Sequence, residues 1–206
     1  MDENEKNTEE IILDAAKKVF LRRGFDGARM QEIADEAGIN KALLHYYFRS
    51  KEKLFDAIFI TAFSQFLPHV SETLLSDKPF FEKIQIFVEH YVQMLLENPH
   101  LPVFILNELS RNPERVVNFF KLAGVSPEVL GKEIQKNVKA GIIRPIDPRS
   151  LVVNLISLCA FPFAGKPLIK AALFDNNEEL YQQFLIKRKT EVTIFITNAL
   201  KPEKTL

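Results

Sequence analysis

The sequence has one cysteine and no tryptophan among its 206 residues, and its 27 basic side chains balance 27 acidic ones. The single cysteine, Cys159, excludes an internal disulfide framework and a zinc site built on four cysteines. Zero net charge excludes a uniformly basic chain that coats nucleic acid non-specifically, but it leaves room for a local basic patch. With 47% hydrophobic and 26% charged residues, the composition is typical of a globular protein.

Long hydrophobic runs and targeting signals are also missing. The most apolar stretch, residues 151–163, is interrupted by Asn154, Ser157 and Pro162. It is shorter than the roughly 20 residues that a membrane-spanning helix needs. The first residues are acidic and polar, whereas a signal peptide begins with positive charge. We therefore expect a cytoplasmic protein that does not interact with a membrane.

Motifs of the common enzyme and metal sites are absent. The sequence has no glycine-rich phosphate loop, no His-Glu-x-x-His, no Gly-x-Ser-x-Gly and no Cys-x-x-Cys. Its histidines, His45, His69, His90 and His100, lack the i, i+4 spacing of a helical metal site. Cys159 lies in an apolar run, which favours a buried core position over a nucleophile. The sequence predicts no catalytic residue, no metal and no cofactor.

The pattern that is present is helical. Apolar residues recur at i, i+3 and i+4 along most of the chain, and no strand-like alternation occurs. The sequence predicts an all-α fold of about nine helices, with an N-terminal helix-turn-helix unit of three helices followed by a C-terminal helical bundle. One long helix is expected over residues 51–75, where Pro68 is expected to kink or end it. Gly24 is expected to end the first helix.

Residues 29–48 have the spacing of a helix-turn-helix. Gly38 suits the turn, because a left-handed backbone is easily adopted only by glycine. In such a unit the second helix enters the major groove of DNA, and its early residues meet base edges. Apolar residues of both helices are expected to pack against Val19 and Phe20. These residues are Ile33, Ala34, Ala37, Ile39, Leu43 and Leu44.

The stretch from Ile12 to Leu54 resembles the N-terminal domain of the tetracycline-repressor-like (TetR) family of bacterial transcription regulators. The matching residues are Ile12, Ala15, Ala16, Phe20, Gly24-Phe25, Ile33-Ala34, Ala37-Gly38-Ile39, Tyr47-Phe48, Ser50-Lys51 and Leu54. The resemblance implies a DNA-binding domain over residues 1–50. It also implies a ligand-binding and dimerisation domain over residues 51–206.

By position, the resemblance assigns DNA contacts to nine residues. They are Arg29, Gln31, Asn40, Lys41, Ala42, His45, Tyr46, Tyr47 and Lys51. Tyr47 and Lys51 match family residues that contact backbone phosphate. Family members usually have Thr or Ser where this chain has Ala28-Arg29, so the usual hydroxyl N-cap of the second helix is missing. The usual family tyrosine two residues before Tyr47 is His45 here, followed by Tyr46, which leaves open which of the two faces DNA.

The charges are unevenly distributed along the chain. Residues 1–16 carry six acids and one lysine, and residues 17–53 carry nine basic and five acidic side chains. Residues 54–206 are nearly neutral, with 17 basic and 16 acidic side chains. Taken alone, such a basic stretch more often solvates helix surfaces than binds a partner. Together with the helix-turn-helix spacing, it favours binding of double-stranded DNA.

The C-terminal part is rich in phenylalanine. Of 18 phenylalanines, 14 follow residue 56. An ordinary aromatic core explains any single ring, but the set also fits a pocket for a small hydrophobic or aromatic effector. The candidate ligand-binding residues are Phe87, His90, Tyr91, Met94, Phe104, Asn107, Phe120 and Phe161. Further polar candidates for the pocket are Gln93, Glu108, Arg111 and Asn154.

The resemblance also implies a homodimer, because family members pair their last two long helices. These correspond to residues 148–164 and 178–199. The expected seam contains Val152, Leu155, Leu158, Cys159, Tyr181, Phe184, Leu185, Val192 and Phe195. The implied function is a repressor whose binding to a palindromic operator is relieved by the effector, and it would be nucleoid-associated when bound. The alternatives are activation in place of repression, and a helical ligand- or protein-binding module that does not bind DNA.

Overall fold

The computed structural model describes residues 3–64, 66–122 and 127–202, which contain twelve helices and no strand. The all-α prediction is confirmed, and the expected number of helices was too low. The helices are α1 (Glu3–Gly27), α2 (Met30–Glu36), α3 (Lys41–Tyr47), α4 (Lys51–Phe63), α5 (Phe66–Leu75), α6 (Phe80–Glu97), α7 (Leu101–Leu109), α8 (Pro113–Leu122), α9 (Pro127–Lys139), α10 (Pro148–Ala164), α11 (Lys166–Phe174) and α12 (Glu178–Leu200).

The chain divides into two compact units. The first unit contains Met1–Ser64 and Val103–Pro113, and the second contains Gln65–Pro102 and Glu114–Leu206. Most of α7 therefore belongs to the first unit, although it follows the first four helices by about 40 residues of chain. The division into functional domains at residue 50 stays a prediction.

In the first unit, α1 packs on α2 and α4, and α2 packs on α3. Its fully buried core includes Ile12, Ile33, Leu44 and Leu54. Gly24 has φ 66° and ψ 173°, so the helical backbone of α1 is interrupted there, as predicted. Gly38 has φ 68° and makes the turn between α2 and α3. Leu43 was expected in the core but is 37% exposed, because Leu44 takes the inward position on α3.

The predicted long helix over residues 51–75 is wrong, because two helices occupy this stretch. Ser64 is the C-cap of α4, and its hydroxyl donates to the carbonyl of Thr61 at 3.0 Å. Gln65 lies outside the described residues. Pro68 falls in the first turn of α5, where its missing N–H costs no helical hydrogen bond, so the break precedes the proline.

In the second unit, α6 packs against α5, α10 and α12. Pro162 lies inside α10 and cannot donate to the carbonyl of Leu158, four residues earlier. Arg188 of α12 supplies the missing donor, with its Nη2 atom 2.9 Å from that carbonyl oxygen. Tyr181 of α12 donates its hydroxyl to the carbonyl of Pro162. Two polar contacts therefore join α12 to α10 around Pro162.

The sequence did not predict α11, which follows α10 directly. Gly165 separates the two helices, and a Cβ atom there would lie 3.2 Å from the carbonyl oxygen of Phe161. The two helices bend by 76° at this point. No single helix in the described ranges is long and apolar enough to cross a membrane, whereas α10 and α11 taken together meet that criterion by length and composition.

Candidate nucleic-acid interface

Helix α3 has one buried side and one exposed side. Leu44 is fully buried against the first unit. Lys41, Ala42, His45 and Tyr46 are exposed, and Tyr46 is exposed over 72% of its surface. Four of the nine predicted DNA contacts therefore lie on the solvent side of the second helix of the helix-turn-helix.

The start of α3 is fixed by Asn40. Its side-chain oxygen accepts a hydrogen bond from the backbone N–H of Leu43 at 2.8 Å. This N-cap satisfies a backbone donor that has no partner within the helix. Asn40 therefore has a structural role that is independent of its predicted DNA contact.

Tyr47 ends α3 and is half-buried. Its ring meets that of Tyr46 edge-on, with ring centroids 5.3 Å apart. This contact limits the movement of the exposed Tyr46 ring. His45 and Tyr46 are both exposed, so exposure does not decide which of them faces DNA.

The start of α2 lacks a side-chain cap, as the Ala28-Arg29 sequence predicted. Arg29 occupies the N-cap position with extended backbone angles, and its side chain makes no capping hydrogen bond. It is exposed to solvent. Gln31, also exposed, donates from Nε2 to Asp35 Oδ1 at 2.8 Å. Position 29 thus carries a guanidinium at the positive end of a helix, a favourable place for an anion.

Lys51 is the first residue of α4 and is anchored to the protein. Its Nζ atom donates to the carbonyl oxygens of Ala28 at 3.1 Å and Asp26 at 3.3 Å. It also lies 4.6 Å from the centroid of the Phe25 ring. An ammonium has three N–H donors, so two carbonyl bonds leave one donor for another acceptor. The predicted phosphate contact of Lys51 is compatible with this arrangement and stays a prediction.

Apart from Lys51 and Arg111, the basic side chains that the structure describes in the first unit fall into two sets. The paired set contains the cations of α1 that form ion pairs. These are Lys17 with Asp14, Lys18 and Arg22 with Glu36, and Arg23 with Glu32. The unpaired set is exposed and has no ion pair within the described ranges. It contains Arg29, Lys41, Arg49 and Lys53.

Two members of the unpaired set, Arg49 and Lys53, were not predicted as DNA contacts. Both were counted in the basic stretch over residues 17–53, but neither lies at a position to which the resemblance assigns a contact. Charge counting alone could not separate them from the paired set, because ion pairs between α1 and α2 depend on helix packing.

The predicted ligand-binding residues are divided between the two units. Phe104 and Asn107 belong to the first unit. Phe104 is buried there, and its ring stacks on that of Phe55 at a centroid distance of 4.2 Å. Asn107 is exposed. Arg111, considered as a polar member of the pocket, pairs with Asp26 in the first unit.

The second unit contains an apolar cavity of about 60 Å³ between α5, α6, α9 and α10. Of the predicted ligand-binding residues, Phe87 contributes to its lining. Lys83 is 7% exposed and lies at the same cavity. Its ammonium donates to Glu133 at 2.9 Å and to the carbonyl of Leu74 at 3.0 Å. The cavity therefore combines apolar walls with one neutralised charged pair.

The other predicted ligand-binding residues of the second unit have different surroundings. Tyr91 and Met94 are buried, and burial raises the pKa of Tyr91. His90 is exposed, with Nδ1 2.8 Å from the carbonyl of Ile86. Phe120 is half-buried, and Phe161 is 58% exposed. The structure does not gather the eight predicted residues around this cavity.

The predicted dimer seam is wrong at several positions on α10 and α12. Five of its residues have at most 8% of their surface exposed, because they pack inside their own chain. They are Leu155, Cys159, Tyr181, Leu185 and Val192. Burial also raises the pKa of Cys159 to about 12, which keeps this thiol protonated and unreactive near neutral pH. Phe195 is 62% exposed, as a seam residue should be.

A metal centre has no support in the described part of the chain. No group of three or more His, Cys, Asp and Glu side chains there is arranged to hold a metal ion.

Comparison with known proteins gives consistent matches. A family model described as bacterial regulatory proteins, tetR family, matches residues 12–58. The HTH-type transcriptional repressor NicS of Pseudomonas putida is 42% identical over 162 residues, which are 75% of this chain and 74% of that protein. A mutant of HlyIIR has a similar crystal structure, with a TM-score of 0.68 and 25% identity over 98% of this chain and 100% of that one. FadR of Bacillus subtilis in complex with stearoyl-CoA shares the fold, with a TM-score of 0.64 and 17% identity over 91% of this chain and 97% of that one.

Proposed function

The chain belongs to the TetR family of bacterial regulatory proteins and is a DNA-binding transcriptional regulator, and we propose that it is a homodimeric repressor released from its operator by a small effector. DNA binding is supported by two features of the first unit, the exposed side of α3 and the exposed cations of the unpaired set. We place its action in the cytoplasm, on the nucleoid.

The proposed DNA contacts follow from the chemistry of each exposed side chain. The cations of the unpaired set neutralise phosphates. They form no ion pair in the described ranges, so none has to be broken before they bind DNA. Ala42 and the ring of His45 or Tyr46 meet base edges in the major groove, where such contacts specify sequence. Leu43 is exposed on the same helix and fits an apolar contact with a thymine methyl group.

A homodimer is supported by apolar side chains that α10 and α12 leave exposed. Val153 and Ile156 on α10 are 60% and 44% exposed, and Ile194 and Phe195 on α12 are 55% and 62% exposed. The two helices pack on each other, and exposed apolar side chains concentrated on such a pair favour an interaction site. A two-fold dimer would place its two α3 helices about 34–36 Å apart, which matches successive major grooves of a palindromic operator.

The effector is proposed to bind in the second unit, with Phe87 and the cavity beside it as the starting point. A cavity of about 60 Å³ is smaller than the roughly 300–1,000 Å³ of typical ligand pockets. The described conformation is thus proposed to be the effector-free one, and a small hydrophobic or aromatic molecule would enlarge the cavity. The effector relieves repression only if it binds the released state more tightly than the operator-bound state.

A gel-shift titration with DNA from upstream of the protein's own gene tests the DNA-binding proposal. We expect a complex that weakens as salt rises and that survives an excess of unrelated DNA. If no sequence-specific complex forms, the proposed repression through this upstream operator is wrong.

The dimer is tested by size-exclusion chromatography of a Val153→Glu/Phe195→Glu variant. We expect a monomer with unchanged helical circular dichroism and strongly weakened operator binding. Leu75→Glu is the matched control, because Leu75 is 76% exposed but lies on α5. A variant that stays dimeric would show that the interface lies elsewhere.

A further inference from the structure

Phe25 follows the break in α1 at Gly24 and is in contact with two cations from distant parts of the chain. The Nζ atom of Lys51 lies 4.6 Å from the ring centroid, and the guanidinium carbon of Arg111 lies 4.8 Å from it. Both distances are within the range of cation–π attraction. Arg111 follows α7 in the Val103–Pro113 segment, which belongs to the first unit.

Asp26 is bound by the same two cations. Its carboxylate forms an ion pair with Arg111, and its backbone carbonyl accepts a hydrogen bond from Lys51 at 3.3 Å. The Ala28 carbonyl accepts a second bond from Lys51, at 3.1 Å. We term residues 24–28 the α1–α2 corner. Two side chains hold it, Lys51 of α4 and Arg111, which follows α7.

The corner leads directly into Arg29, the N-cap of α2. Because α2 has no side-chain cap, no capping hydrogen bond holds its first turn, which is joined directly to the corner. Arg29 and Gln31, two proposed DNA contacts, lie at this first turn. A change at the corner would therefore move groups that meet DNA.

The segment that carries Arg111 is itself fixed in the first unit. Phe104 stacks on Phe55 of α4 at 4.2 Å and lies 6.0 Å from Phe20 of α1, measured between ring centroids. Phe55 in turn meets Phe25 edge-on at 5.3 Å. The aromatic contacts hold α7 against the helices on which the corner rests, and Arg111 reaches the corner from there.

We propose that Arg111 is a positioning residue for DNA binding. It holds Phe25 and Asp26, and through them the start of α2 and the ammonium of Lys51, without contacting DNA itself. Residue 111 lies far outside the matched helix-turn-helix region over residues 12–58. It also lies close to Glu114, where the chain enters the second unit, so the segment that adjusts the DNA-contacting helices is continuous with that unit.

Arg111→Ala in the full chain tests the proposal through the salt dependence of operator binding, measured by fluorescence anisotropy. Loss of a phosphate contact reduces the magnitude of the negative slope of log K against log salt by about 0.9, or by about 1.8 when both protomers of a dimer lose it. Loss of a residue that only positions others leaves the number of neutralised phosphates, and hence this slope, unchanged. Because the substitution removes an exposed cation–π interaction and an ion pair from each protomer, we expect about tenfold weaker binding at every salt concentration, with parallel lines. Arg149→Ala is the matched control, since Arg149 also pairs with an aspartate, Asp147, but in the second unit.

Unchanged affinity of the Arg111→Ala variant would overturn the proposal, and so would a slope of reduced magnitude, which would make Arg111 a direct phosphate contact. Asp26→Asn provides a second test that keeps the arginine. We expect Asp26→Asn to change affinity in the wild-type chain but not in the Arg111→Ala variant; equal effects in both would contradict the coupling. The proposal rests on operator binding, and the wild-type titration tests that separately: if wild type binds and Arg111→Ala binds equally well, only the positioning role fails.

Discussion

The two units place their cations in opposite environments. In the first unit, the paired set on α1 is neutralised by nearby acids, and the unpaired set stays exposed around α2, α3 and α4. In the second unit, Lys83 is buried and paired with Glu133 beside an apolar cavity. Exposed cations without partners can neutralise phosphates, whereas a buried paired cation contributes to the core. The basic side chains of one chain thus have different functions, which are decided by burial and partners.

The largest effect is expected from removing Glu133, the acid of the buried pair in the second unit. Glu133→Leu leaves the Lys83 ammonium buried without its counter-ion, and we expect the free energy of unfolding to fall by about 3–5 kcal/mol. Urea denaturation followed by circular dichroism measures this change. The double variant Lys83→Met/Glu133→Leu is the control and should be much less destabilised, because no buried charge remains. A single variant as stable as wild type would show that the pair does not contribute as proposed.

The cap of α3 allows stability to be separated from DNA contact in the first unit. Asn40→Ala removes the bond to the Leu43 N–H and should lower the free energy of unfolding by about 1 kcal/mol. Asn40→Asp keeps a capping oxygen and should be as stable as wild type, but its charge faces the proposed phosphate surface and should weaken operator binding. Thermal melts and gel shifts on both variants check this prediction. Equal operator affinity of Asn40→Asp and wild type would remove Asn40 from the interface.

The smallest expected effect is the acid sensitivity of the α11–α12 contact in the second unit. Hydrogen bonds from Lys166, and then from Gln182 and Lys170, lower the pKa of Glu178 from 4.5 to about 2. A lowered folded-state pKa stabilises the fold above pH 4.5, and this contribution is lost as the pH falls toward 2. Glu178→Gln should therefore have a flatter decline of melting temperature than wild type as the pH falls from 4.5 toward 2. Parallel declines would mean that this carboxylate is not coupled to folding.

Much of the first unit could be predicted from local sequence. Gly24 and Gly38 require backbone angles that glycine favours, and the buried Ile33 and Leu44 follow helical spacing. The ion pairs between α1 and α2 could not be predicted, because they depend on how two helices pack. The contact between Arg111 and Asp26 joins residues 85 positions apart, and no local pattern indicates it.

The second unit was harder to predict, because its sequence indicates the composition of the core and the lengths of the helices but not which side of each helix packs inside the chain. The resemblance implied a seam on the last two long helices, and apolar residues were assigned to it. The side that packs inside the chain is apolar as well, and Tyr181 and Val192 lie there. Phe104 was placed with the other rings by composition alone, whereas packing joins it to Phe55 in the first unit. The break between α4 and α5 came before Pro68, at a serine that satisfies its own hydrogen bond locally.

The central claim is that the unpaired set, rather than basic charge in general, binds operator DNA. It is tested most directly by the salt dependence of operator affinity in two matched variants, Arg29→Gln/Lys41→Gln and Arg22→Gln/Arg23→Gln. Each removes two positive charges from the same unit of the chain. We expect the first to reduce the magnitude of the negative slope of log K against log salt by about 0.9 for each phosphate that the dimer no longer neutralises, and the second to leave the slope nearly unchanged. An equal decrease of the slope in both variants would contradict the account.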